Sequence, residues 1–376
     1  MDSFDNSISD SQGTVVTPVD PGKFDITQYR EYEQSLLENN KCFWRASDGI
    51  AVYRRFRAPE VFSYGCRDMA ASLAKQLGGL AESIKYKADI ANFLEPWYGI
   101  GTIASAFGVD YHWPEGQAPA IIPPFKTVKE ALDRELIPIE ETGIGKHTLN
   151  MIEYFLDKTK GKIPVSPTDT QSALNAASFL LSTDNFFMEM IANPEGMQEL
   201  LKKIMFLNIS FTQKQNTLIG DALVLPGHGF ASSRVFKGLG MSSDVISMIS
   251  TDFYRKFEAP CLEKTGENFG GAVFHSCGNW ANKISGVKSV KNLVIVDGAF
   301  SYETDPDPNP CQPFAEQFRD TGVVVNARMV GNADTVIEKV KALWRPGIKL
   351  IVVTYCKTPA EQLKVYNRIQ QITQGN

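Results

Sequence analysis

His275 and Cys277 stand one residue apart in GAVFHSCGNW (271–280), in a chain that holds only 4 histidines and 6 cysteines. Residues 271–274 are apolar enough for a buried strand and 278–279 are turn residues, so the pair falls at a strand's carboxyl end. Side chains alternate across a strand, which sends positions 275 and 277 to one side. The last apolar run ends in VVTYC and places Cys356 two residues before the helix cap Thr358. Two thiolates and an imidazole meeting at one point make a zinc site with an open fourth position, and sulfur ligands select zinc over magnesium or calcium. The bland alternative is packing, because a histidine beside a buried cysteine at a strand end needs no metal. On the residues alone both readings stand.

Asp244 and His228 are the candidate catalytic side chains. Asp244, in SSD after the fourth long run, is the first candidate for a fourth ligand, ahead of Glu303 and Asp305; its alternative is a helix or turn cap. Glu303 and Asp305 also read as a solvated acidic loop. His228, in PGHGF at a predicted strand end, contacts substrate or simply occupies a turn. Asn326, Arg328 and Asp297 lie at other predicted strand ends and are candidate substrate contacts. Arg328 suits an anionic group, with a rim salt bridge as its alternative. Trp97, with Tyr98, Tyr111 and Trp113, walls an aromatic substrate or packs a core.

These residues need a scaffold that gathers strand ends. Apolar runs at 87–93, 161–167, 220–227, 237–244, 271–278, 292–298, 322–329 and 348–356 alternate with amphipathic stretches. Continuous Val/Ile/Leu blocks suit parallel strands buried on both faces; KGLGMSSD (237–244) is the weakest of them. Helix caps are readable at Thr127 with Glu130, at Asn193 with Pro194, and at Thr358 with Pro359 and Glu361. The pattern predicts an α/β protein, a single-domain (β/α)8 barrel over 61–376 with an N-terminal extension over 1–60. Such a barrel carries its chemistry at the carboxyl ends of its strands. A doubly wound sheet is the rival, and the dinucleotide-type glycine turn it would use is missing from the sequence.

A formal net charge of −5 argues against nucleic acid or an anionic membrane as partner. No apolar run is long enough to span a bilayer, and the polar, acidic start MDSFDNSISDSQG lacks the features of a signal peptide. A cytoplasmic protein is expected, its cysteines thiols or metal ligands rather than disulfides.

FHSCGN and the terminal YCKTPAEQ resemble the zinc-ligand pattern of the uroporphyrinogen decarboxylase-like superfamily. The likeness is to its corrinoid-linked branch, the methylcobalamin:coenzyme M methyltransferases and related O-demethylase methyltransferases. It extends to 240–260 and 171–201, more loosely to 95–111, and covers roughly 85–375. The resemblance implies zinc held by His275, Cys277 and Cys356. It also implies a methyl group moved between a small methylated substrate or thiol and cobalamin carried by a partner corrinoid protein. The decarboxylase branch grips substrate carboxylates with an R-Q-A-G-R motif and uses no metal; here YRRFRAPE (53–60) stands in that part of the chain. Metal-free decarboxylation of a tetrapyrrole is the alternative function.

Overall fold

The computed structural model describes residues 14–58, 64–114 and 118–374; the polar tail read at 1–13 lies outside them. Its strands are β1 (Gly49–Arg54), β2 (Tyr111–His112), β3 (Ala120–Ile121), β4 (Leu239–Ser242), β5 (Ala272–His275), β6 (Leu293–Ala299), β7 (Val324–Met329) and β8 (Lys349–Thr354). Every residue of β7 and β8 is buried, as the Val- and Ile-rich composition of a strand covered on both faces requires. Six strands form one parallel sheet in the order β1-β8-β7-β6-β5-β4. Between β1 and β4 the ring continues through single links. Asp89 donates its N–H to Val52 O at 2.8 Å, parallel bridges join Leu94 to Val165 and Val165 to Leu223, and Gly240 donates to Pro226 O at 2.9 Å. The architecture is a (β/α)8 barrel in a single domain, with β2 and β3 forming a small antiparallel pair in the excursion near the mouth.

Strand alternation sorts the core into two clusters. Tyr53, Val273, Ile295, Val324, Ile351 and Val353 belong to an inner one, whereas Phe274, Val296, Val325, Leu350 and Val352 pack with the surrounding helices. The helix caps take the form read from sequence. Thr127 accepts from Glu130 N at 3.2 Å, Asn193 from Gly196 N at 3.1 Å, and Thr358 from Glu361 N at 3.2 Å.

The strand pattern differs from expectation in two places. The runs at 161–167 and 220–227 make single bridges rather than ladders, and the run at 87–93 contributes one only through Leu94, just past its end. Conversely β1, within the stretch read as an extension, joins the sheet beside β8 in register from Gly49–Lys349 to Arg54–Thr354. Its sequence, GIAVYR, is short and ends on Arg54, which is buried at only 2% exposure. That guanidinium donates to Cys356 O at 2.8 Å and lies over the rings of Phe56 and Tyr86 at 4.2 and 5.1 Å. The weakest run, 237–244, contains β4. Among the described residues no helix is long and apolar enough to cross a membrane.

Candidate metal centre at the barrel mouth

Ser242, His275, Asp297 and Asn326 are lateral neighbours across β4, β5, β6 and β7. Parity points the last three inward, since Val273, Ile295 and Val324 two residues earlier belong to the inner cluster. Just beyond β5 the chain turns at Gly278, whose φ of 68° suits glycine, and its N–H is held by Asp305 Oδ2 at 2.8 Å. This turn keeps Cys277 beside His275.

One donor atom each from Asp244, His275 and Cys277 lies within 4.8 Å of the others. Cys277 Sγ is 3.6 Å from His275 Nε2, and Asp244 Oδ1 is 3.9 Å from the same nitrogen. Zinc bonds of about 2.1 Å to nitrogen and about 2.3 Å to sulfur at a tetrahedral angle put the two donors about 3.6 Å apart. The imidazole, thiol and carboxylate therefore fit zinc without rearrangement of the His–Cys pair. Asp244 Oδ1 also accepts the Cys277 N–H at 2.7 Å, which ties the loop after β4 to the loop after β5.

Beneath the donors lies a buried polar network centred on Asp297. Its Oδ2 is 2.6 Å from His275 Nδ1 and accepts from Arg328 Nε at 3.0 Å, while Oδ1 accepts from Asn326 Nδ2 at 2.5 Å. Asn326 Oδ1 in turn accepts from Ala231 N at 3.3 Å. Burial works against an ionised Asp297, but Arg328 and His275 together hold its carboxyl below the usual range. Burial likewise opposes charge on His275, and the carboxylate of Asp297 with the neighbouring Cys277 thiol raises it well above the ordinary histidine value. A carboxylate on Nδ1 keeps the proton there and aims Nε2 at a metal, the second layer that metal-binding histidines use.

The structure does not bring Cys356 to this group, and that corrects the ligand set read from sequence. In β8, Ile351 and Val353 face the inner cluster while Leu350 and Val352 fall in the outer one, and Cys356, two residues beyond the strand, joins that outer cluster with Val365 and Ile369 of the last helix. Cys356 thus has the wrong parity, and Tyr355 takes the inward position. Burial pushes the Cys356 thiol up to about 12, so it sits there as a neutral apolar group.

The donors open into a cleft of ≈ 420 Å³ that Arg328, His228 and Asp305 also line. His228 Nδ1 is 3.1 Å from Glu95 Oε1. Burial of Glu95 works against its charge, yet His228, Arg55 and Arg57 hold its carboxyl at about 2. Asp297 and Asn326, read as substrate contacts, are fully buried supports beneath His275. Trp97 packs in a cluster with Ala58, Tyr98 and Ile144, its ring 6.3 Å from that of His228. Glu303 does not line the cleft. Sequence reading missed Arg55, Arg57, Asp169, Gln171 and Asn175, all in the cleft wall. For the arginines the signal was YRRFR; for Asp169 and Gln171 it was TDTQS after a run that forms no ladder, with Asn175 one helical turn further on.

Residues 85–351 match the uroporphyrinogen decarboxylase (URO-D) family. The chain belongs to that family. None of the curated proteins matches it by sequence. Among solved structures it is similar to a methyltransferase from Methanosarcina mazei, at 13% identity and a TM-score of 0.54, over 79% of this chain and 84% of that one. At that identity the likeness speaks for the fold.

Proposed function

We propose that the protein is a zinc-dependent methyltransferase that moves a methyl group between a small methylated substrate or thiol and cobalamin on a corrinoid protein. The observation that carries this reading is the convergence of Asp244, His275 and Cys277 at an open barrel mouth. Three protein donors with space beside them are the pattern of a catalytic zinc, since a structural zinc is closed by four. The corrinoid partner is supported by the sequence resemblance.

Bound zinc would supply Lewis acidity to the oxygen or sulfur that gives up or receives the methyl. The remaining work falls to the chain. Asp297 holds the Nδ1 proton of His275 and so leaves Nε2 as the ring atom that faces the metal. Asp244, through the Cys277 N–H, sets the distance between the two donor loops. Arg328, anchored on Asp297 at the cleft wall, orients an anionic part of the substrate. His228, on Glu95, faces the same cleft as the candidate acid–base group.

A second reading, metal-free decarboxylation of a tetrapyrrole, is favoured by one observation: Arg55, Arg57 and Arg328 line one cleft, which suits a polycarboxylate. Elemental analysis of protein purified without chelator separates the two. About one zinc per chain, lost in Cys277→Ser, supports the methyltransferase. Zinc-free protein that turns over uroporphyrinogen overturns it.

A further inference from the structure

Glu258 closes a five-residue π-turn, Tyr254–Glu258, set into the helical stretch after β4. Such turns are rare and re-aim a side chain at a chosen place. Here the side chain is a carboxylate with 0% exposure. Its hydrogen bonds come from neutral donors: Leu174 N at 2.9 Å, Ser243 Oγ at 3.4 Å, and the Ser172 hydroxyl. A charged group buried among neutral donors is an expensive way to hold a core together.

Its contacts lead to the metal donors. Ser243 donates its N–H to His275 O at 2.8 Å and immediately precedes Asp244. Ser172 caps the helix Ala173–Leu180 through Asn175 N at 3.1 Å and donates its own N–H to Ser242 O at 2.9 Å. From that helix, Asn175 Oδ1 accepts the N–H of Val245 at 3.2 Å. Asp244 is thus held on its amino side by Ser243, which bonds Glu258 directly. On its carboxyl side it is held by Val245, through a helix whose first turn Glu258 also caps.

We infer that Glu258 is a positioning residue for the metal centre: it fixes the 242–245 loop so that Asp244 stands in register with His275 and Cys277. The inference rests on the metal reading above. It assigns Glu258 no contact with substrate or metal.

Cobalt(II), added alone to the chelator-stripped full chain, is the probe, read by its d–d and thiolate charge-transfer absorption. Wild type should bind one ion per chain. Glu258→Gln, similar in shape, should bind about tenfold more weakly with an altered d–d band and an unchanged far-ultraviolet circular dichroism spectrum. Glu258→Asp should recover part of the loss. Equal affinity and spectrum in wild type and Glu258→Gln overturn the inference and leave the metal reading intact. A wild-type chain that binds no cobalt overturns both. Should Glu258→Gln fail to fold, Ser243→Ala carries the test by removing a single donor. It should weaken binding about threefold, as a lost hydrogen bond of this length implies, and an unchanged affinity would count against the inference in the same way.

Discussion

His275 Nδ1 and Asp297 Oδ2 lie 2.6 Å apart across the β5–β6 register, with Arg328 on the same carboxylate oxygen. One buried anion therefore serves two cations. Asp297→Asn should lower zinc affinity about 10- to 100-fold, the usual effect of losing a histidine's supporting carboxylate. It should also destabilise the fold by about 3 kcal/mol, because Arg328 is left charged and buried. Urea unfolding and competitive zinc titration of the same variant check both numbers. Normal zinc affinity would mean that His275 does not ligate through Nε2.

The two cysteines should behave oppositely. Cys277→Ser should lose its zinc, since the hydroxyl is a far poorer ligand than a thiolate. Cys356→Ser should keep it and lose about 1 kcal/mol of stability, the cost of placing a hydroxyl in an apolar cluster. Zinc content and thermal melting measure this. If Cys356→Ser were purified zinc-free, the parity argument that turns Cys356 outward would fail.

How much of this could be read from the sequence depends on the range of the interactions. His275 ends β5 and Cys277 follows it two residues on, held by the turn at Gly278, so sequence neighbourhood places both. Asp244 reaches them only through the packing of β4 against β5, yet a polar residue after an apolar run was enough to nominate it. Cys356 looked equivalent because it, too, ends a strand, but its parity is set by β8 as a whole. The resemblance to a distant ligand cysteine could not see that. The end of β1 was hard to read because its buried Arg54 is held by groups more than 30 and 300 residues away, the ring of Tyr86 and the carbonyl of Cys356. Arg55 and Arg57 went unnoticed with it, since a cleft wall belongs to the folded ring and not to any one segment.

The metal-free protein should show a distinctive pH dependence. The folded-state value of His275 is raised, so its stabilising ion pair is fully present below the unfolded histidine value of about 6.5. It is lost as pH rises through the folded value. Asp297 is depressed, so its contribution is present above about 3.9 and lost as pH falls through its folded value. The contribution of this ion pair to apo stability should therefore be greatest between about pH 4 and 6.5 and decline on the alkaline side. Zinc affinity should instead increase with pH, because the His275 Nε2 proton must leave. Denaturant midpoints of apo protein across pH test this. A rise in apo stability through the alkaline range, absent from Asp297→Asn, would contradict the ion pair.

Glu258 should be a stability defect that the protein tolerates. Burial raises its carboxyl to about 7, with the hydrogen bonds from Ser172, Leu174 and Ser243 pulling only partly the other way. A raised folded value means that the group's favourable contribution is present below the unfolded value and lost as pH rises through the folded one. Tyr254 and Cys261, close by on the same helical stretch, are themselves raised by burial and stay neutral through this window. From about 4.5 to about 7, at ~1.4 kcal/mol per pH unit, ionising Glu258 costs the native state about 3 kcal/mol. Glu258→Gln, which carries no charge, should match wild type near pH 4 and exceed it by up to that amount at pH 8, read from urea midpoints at the two values. The gain should accompany weaker cobalt binding, so stability and metal order move in opposite directions. A Glu258→Gln chain less stable than wild type at pH 8 would show that the ionised carboxylate is a net support of the fold.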